Sequence, residues 1–196
     1  MGRSNPAGRR RPGSARATPA RAAGSAAAPV GGASLDEATQ PRTWQDFQLR
    51  SLIDPTDARP LFDFAAVPWP PDVLYGWSAA RGDSLPSAAV VAERGGRAVF
   101  LHGPIVKVDD VGGDPLHLAA ELLRAALTHA AALGADTAFA RPQGLDRVWV
   151  RFGFIPVPES ALPAAFAGRP GAGLYGWRGG SALWSFREPR DTESAA

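Results

Sequence analysis

His102 lies in the run Val99-Phe100-Leu101-His102-Gly103. Of the three histidines it is the best placed to move a proton. An imidazole with a reference pKa of about 6.5 can take a proton from an ammonium directly or through water. The competing reading is a histidine bonded to neighbouring backbone on a strand face. Asp109 and Asp110 follow that run and are alternative bases, although adjacent acids in a loop are commonly just solvated. His117 falls in the first turn of a helix, where it can touch a phosphate or nothing. His129 falls off that helix's apolar face and is expected at the surface. The chain has no cysteine, which excludes a thiolate nucleophile, a disulfide framework and thiolate metal sites. No carboxylates stand at ligand spacing from the histidines, so no metal is expected.

Two backbone features bear on chemistry. The loop Val111-Gly112-Gly113-Asp114-Pro115 joins a β-rich run to a helix. Such a loop can aim free N–H groups and the positive helix end at a phosphate, and it can equally be a plain helix entry. Gly103-Pro104 removes a ladder donor inside an otherwise good strand, so the strand should bulge or splay there.

The elements that must position these residues follow from pattern. Trp44 to Phe64 carries apolar residues at irregular helical spacing with a break at Asp54-Pro55, and one or two short helices are expected. Val67 to Pro71 reads as an extended linker and Asp72 to Ala79 as a strand. Ser87 to Glu93 and Arg97 to Val108 flank Arg94-Gly95-Gly96, a hairpin signal. Pro115 to Leu133 has Asp114 as cap, Pro115 at its first position, a three-and-four apolar spacing and Gly134 as stop, which predicts the clearest helix. Ala135 to Arg141 reads as a strand, Leu145 to Phe152 as a short helix and Ile155 to Val157 as a strand. Leu174 to Trp177 and Ala182 to Arg187 read as a closing hairpin or two edge strands. Six tryptophans serve the core, and some are expected to line a cavity.

With 196 residues and 45% apolar content, the chain fits one domain plus a tail. No window approaches the roughly 20 consecutive apolar residues of a membrane span. The pI near 9.6 is misleading. Residues 1 to 35 hold six arginines and no acid, leaving 15 basic and 19 acidic side chains in the rest. The expected folded part is therefore mildly acidic. Residues 1–41, almost without large apolar side chains, are expected to be disordered. That stretch reads as a transit peptide, an arm for nucleic acid or an anionic surface, or a tail with no binding role. Residues 42–188 are expected to form the single domain and 189–196 a short disordered end. A cytoplasmic location is expected.

Within Arg97 to Val157, the order of strand, glycine loop, helix, strand, helix and strand resembles the core of the GCN5-related N-acetyltransferases (GNAT). Trp149-Val150-Arg151-Phe152-Gly153-Phe154 stands where that family has Tyr-x-x-x-Gly-Phe, and Leu122-Leu123 where it often has a leucine pair. The resemblance implies an α/β (α+β) fold with a mixed, mostly antiparallel twisted sheet flanked by helices. It also implies acetyl-CoA or another acyl-CoA as co-substrate, with a small-molecule or peptide amine as acceptor. The base would be His102 or Asp109. Ile105, Val106, Lys107 and Val108 would offer backbone to the pantetheine arm, and Gly112, Gly113, His117, Leu118, Ala119 and Trp149 would complete the coenzyme site.

Two positions depart from the family pattern. Its phosphate-loop residues fall on Asp114 to Ala119, where only Ala119 agrees. An aspartate facing pyrophosphate would repel it, so either Asp114 turns away as a cap, or Gly112-Gly113 supply a shifted loop, or coenzyme binding is lost. Trp149 replaces a tyrosine that often protonates the leaving thiolate, and an indole cannot do so. The first reading is therefore an acyl-CoA-dependent N-acyltransferase, monomeric or homodimeric and without a membrane partner. The alternatives are a non-catalytic ligand- or partner-binding protein of this fold, and a nucleic-acid-associated protein acting through the basic tail.

Overall fold

The computed structural model describes residues 33–178. The disorder expected for residues 1–32 and 189–196, the nucleic-acid reading of the basic tail and the expected strand Ala182 to Arg187 lie outside the described residues. Within the stretch expected to be unordered, Leu35–Ala38 forms a helical turn, α1. Ser34 and Glu37 close a capping box around it, and Ala38 is fully buried. Local hydrogen bonds and one buried methyl order this turn despite its polar composition.

Trp44 to Phe64 departs from the helical expectation in its first half. Arg42–Trp44 (β1) and Phe47–Ser51 (β2) pair antiparallel across a Gln45-Asp46 turn. Phe47 and Leu49 are buried while Gln48 and Arg50 face out, a period of two that the surrounding apolar residues obscure. The second half is helical: a 3-10 turn, Pro55–Ala58, capped by Asp54, leads into α2, Arg59–Phe64.

The central strands fall close to their expected places. Val73–Ala80 (β3), Ala88–Gly95 (β4) and Ala98–Val106 (β5) form an antiparallel meander, with Gly96 at φ +64° in the β4–β5 turn. Helix α3, Pro115–Ala132, ends before Gly134 at φ +81°, and β6, Thr137–Ala140, follows. Helix α4, Asp146–Arg151, β7, Ile155–Pro156, and β8, Tyr175–Arg178, complete the described chain. The sheet order is β1-β2-β3-β4-β5-β6-β8-β7, antiparallel except for the β5–β6 pair. The mixed, mostly antiparallel sheet flanked by helices is thus the one expected.

One face of the sheet is covered by α3, whose Leu118, Leu122, Leu123 and Leu127 pack with Trp77, Val99 and Leu101 in the main core. On the other face, Leu61 and Phe62 of α2 meet Ala89, Val91 and Ile105. Phe166 and Leu174 cover Phe100 and Phe139. The alternation along β5 therefore sends Leu101 toward α3 and Phe100 and His102 toward the opposite face.

Two features open a gap in this sheet. Parallel pairing of β5 with β6 ends at Leu101 and Ala140, and β5 runs on to Val106 with no strand beside it on that side among the described residues. Between the pairs Ala89–Ile105 and Val91–His102, β5 spends three steps against two on β4. The extra residue falls at Gly103-Pro104, where the sequence placed a bulge; Gly103 sits at φ +91° and the peptide bond is cis. A Cβ on Gly103 would lie 3.0 Å from both the Ala89 carbonyl oxygen and the Ile105 nitrogen. Gly96 has open space around it. The bulge is accordingly the more demanding site. Gly96→Ala should cost about 1 kcal/mol for its left-handed φ, and Gly103→Ala at least about twice that, because backbone must also move. Urea unfolding midpoints of the two variants measure the difference.

Candidate functional site

Where β5 leaves β6, the gap becomes a cavity of about 300 Å3. Its floor is β5 from Phe100 to Val106. One wall is the segment after β6, with Arg141, Gln143, Gly144 and Leu145, backed by Trp149 of α4. Ala65, Val67 and Pro68, just after α2, form the opposite lip, and Pro115 closes the end nearest α3.

His102 stands on the floor of this cavity, and its neighbours define its protonation. Its Nε2 lies 2.7 Å from Oε1 of Glu93, on the adjacent strand and the same face. The Glu93 side chain is only 2% exposed. The Nε of Arg169 reaches both of its oxygens, at 2.8 and 3.1 Å, and a second guanidinium nitrogen adds a further bond. A carboxylate held by a guanidinium can only accept, so Nε2–H of His102 donates to it and Nδ1 keeps its lone pair. Burial is the largest influence on the imidazole and holds its pKa below the usual histidine value; the bond to Glu93 opposes this, and the Arg169 charge adds to the lowering. His102 is thus a neutral base with a fixed tautomer on the cavity floor.

The chain after β6 is pinned by a second ion pair. Arg141 makes two 2.6 Å bonds to Glu159 and is raised in pKa chiefly by them. Gly144 at φ +84° and Leu145 at φ +58° then turn the chain into α4. Trp149, 1% exposed, packs edge-on against Phe154 with 4.8 Å between ring centroids.

The structure gathers only some of the residues singled out from sequence. His102, Ile105, Val106, Val108 and Trp149 line the cavity. The Lys107 N–H donates to the Ser87 carbonyl 2.8 Å away, and its ammonium pairs with Asp110 at 2.8 Å. Because successive strand residues turn their backbone groups to opposite sides, Val106 presents its N–H and C=O to the gap. Asp109 is exposed, outside the cavity lining. Leu118 and Ala119 are fully buried in the main core. His117 is exposed, 3.6 Å from Asp114, over a separate shallow depression.

The glycine loop faces the protein's own side chains. A Cβ on Gly112 would lie 3.3 Å from Arg81 Nη2, and one on Gly113 3.2 Å from Gln45 Oε1. Arg81 is already bonded to the Asp110 carbonyl at 2.7 Å and paired with Asp46. Asp114 caps α3, its Oδ1 accepting from the Leu116 N–H at 2.9 Å.

Glu93, Arg169 and the Arg141–Glu159 pair were missed from sequence. Glu93 did carry a signal, because it ends the apolar run Ala88-Ala89-Val90-Val91-Ala92 inside a strand, where a charge needs a partner. Arg169 carried none, since a loop arginine gives no hint of what it reaches. His129 is a correction: it is 7% exposed, not at the surface. Its ring lies 4.2 Å from that of Tyr75, and its Nδ1 has no hydrogen-bond partner among the described residues. Helix α3 is sandwiched closely enough that a residue off its main stripe is still covered.

No family model matches the chain, and no curated protein matches it in sequence. Solved structures do match it in fold. A GNAT-family acetyltransferase from Staphylococcus aureus Mu50 superposes with a TM-score of 0.51 at 12% identity, covering 65% of this chain and 97% of that one. The N-acetylglutamate synthase of Neisseria gonorrhoeae complexed with coenzyme A and L-arginine gives 0.52 at 12% identity over 67% of this chain. The same synthase with coenzyme A and N-acetyl-glutamate gives 0.51 at 15% identity over 69%. This chain spans about a third of the length of the synthase chains.

Burial lowers the pKa of both His102 and His129. The unfolded chain therefore binds more protons than the folded one between the folded values and about 6.5. Stability should be full above pH 6.5 and fall as the pH drops below it. Melting temperatures from pH 8 to 5 should show this decline, and His129→Phe should make it shallower.

Proposed function

Because the chain has the fold of the GCN5-related N-acetyltransferases, we propose that it transfers an acyl group from a pantetheine thioester, such as an acyl-CoA, to the amine of a small molecule. The observation that carries this reading is His102, fixed by Glu93 and Arg169 on the floor of the cavity where β5 and β6 part. The residues of this end fit a pantetheine arm. Val106 offers a backbone donor and acceptor to its amides, and Pro104, Leu145 and Trp149 line an apolar channel for its carbon chain.

The chemistry balances with these groups. The amine lone pair forms the C–N bond at the thioester carbonyl, the C–S bond breaks, and its electrons leave with sulfur. The ammonium proton passes to Nδ1 of His102, directly or through one water. Glu93 stabilises the imidazolium that results, and Arg169 keeps Glu93 from turning away. The leaving thiolate takes a proton from water, because Trp149 has none to give; a thiol of pKa about 8.5 is a good enough leaving group to need no acid. Positioning two reactants in one cavity supplies much of the acceleration.

A second reading, a non-catalytic binding protein of the same fold, is favoured by Trp149, which fills the place of the expected acid. Ligand binding and pH dependence separate the two. Acetyl-CoA at about 100 times its dissociation constant should stabilise the full chain by roughly 2.7 kcal/mol in thermal unfolding. No shift with acetyl-CoA or longer acyl-CoAs would leave the second reading standing. With an acceptor found by thiol release across an amine panel, His102→Gln should lower kcat by about 10²- to 10⁴-fold. Glu93→Gln should lower kcat as well and move the acidic limb of the pH profile downward, since Glu93 raises the His102 pKa.

A further inference from the structure

We infer that the donor is recognised through its acyl-pantetheine half alone, and that the start of α3 offers the pyrophosphate of coenzyme A no hold. This deepens the acyl-transfer reading and rests on it. Three observations at the start of α3 carry it.

The first is the state of the donors. A helix end binds an anion through the unpaired N–H groups of its first turn. Here Pro115 has none and the Leu116 N–H is taken by the Asp114 carboxylate at 2.9 Å. Those of His117 and Leu118 point to the Asp114 carbonyl at 3.1 and 3.3 Å. The second is charge. Asp114 places a carboxylate at the helix start where a pyrophosphate would bring its own negative charge, with Asp109 and Asp110 just before it. On the loop side the cations are already paired, Lys107 with Asp110 and Arg81 with Asp46; Arg147 and Arg151 of α4 share the shallow depression of Asp114 and His117, where the Asp114 carboxylate competes with any anion for them. The third is space. Gly112 and Gly113 are exposed, but one side of each is occupied, by Arg81 and Gln45.

The other end of the groove has the opposite character. Pro104, Leu145 and Trp149 line it beside a neutral His102, Gln143 and an Arg141 already paired with Glu159, strand geometry turns the Val106 N–H and C=O toward it, and its volume of about 300 Å3 lies at the low end for a ligand pocket. That suits a neutral chain of amides and methylenes ending in a thioester. The same arm occurs on coenzyme A and on the phosphopantetheine of acyl-carrier proteins.

Isothermal titration of the full chain with S-acetylpantetheine, acetyl-CoA and 3′,5′-ADP tests this without an acceptor. S-Acetylpantetheine and acetyl-CoA should bind with Kd values within tenfold of each other, and 3′,5′-ADP should give no heat at millimolar concentration. Acetyl-CoA binding more than tenfold tighter, or measurable 3′,5′-ADP binding, would overturn the inference and leave acyl transfer intact. Binding of neither thioester would overturn both. Asp114→Asn keeps the cap and removes the charge. It should tighten acetyl-CoA several-fold and leave S-acetylpantetheine where it was; an unchanged acetyl-CoA affinity would count against the inference. A fourth titration, with an acetylated carrier protein, separates the two sources. Tighter binding than acetyl-CoA points to the carrier, weaker binding to the free coenzyme.

Discussion

Strand β5 has to satisfy two neighbours with different demands, and the cavity exists because it cannot satisfy both along its whole length. Toward β4 it stays paired to Val106. Toward β6 the pairing stops at Leu101, because β6 ends at Ala140 and the chain turns away through Gly144 and Leu145. A continuous pleat would leave several backbone groups on the free side unpaired and flat against whatever covers them. The extra residue at Gly103-Pro104 bends the strand there instead, and proline removes one donor from the side with no partner. The remaining groups face a gap wide enough for a ligand to supply their hydrogen bonds. The open side of β5 is thus both a cost of the fold and the reason a site can exist.

The same geometry explains why a charge can be buried beside it. Glu93 is almost fully enclosed, and a carboxylate there is tolerated only with partners. Arg169 provides one from a loop that also carries Phe166 into the third cluster of the core, so packing on that face brings the guanidinium to the carboxylate. His102 provides the other, from the last position before the bulge. Fixing Glu93 therefore fixes the imidazole, and burial keeps it neutral. The ion pair and the base form one unit, in which changing Glu93 or Arg169 alters the protonation of His102.

Much of this fold could be read from sequence, because its central elements obey simple periods. The β4–β5 hairpin declared itself by its glycine turn, and α3 by Asp114, Pro115 and Gly134 at its two ends. The bulge at Gly103-Pro104 followed from proline chemistry alone. The β1–β2 hairpin did not, since the alternation of Phe47 and Leu49 is too short to outweigh the apolar residues on either side. Helical turn α1 was hidden by the composition around it, and His129 by a helix covered more widely than its main stripe. For the site, His102 stood out in sequence by its place in a strand beside a proline-marked bulge, with a structural histidine on a strand face as the competing reading. Its partners were not: Arg169 stands 76 residues from Glu93 in sequence, and only tertiary packing brings them together.

Residues at the start of α3 show how one position can be claimed by local structure and by a ligand site at once. Asp114 and Pro115 are strong helix-start signals because they dispose of the first turn's unpaired donors. A phosphate-binding helix needs those donors left unpaired, so the two uses of a helix N-terminus exclude each other at the same atoms. A sequence that resembles an anion-binding fold but spends its helix start on an aspartate cap has therefore traded ligand contacts for self-contained stability at that point. On the inference drawn above, recognition comes from the remaining walls of the groove, where Val106, Pro104, Leu145 and Trp149 stand beside His102, Gln143 and the ion-paired Arg141.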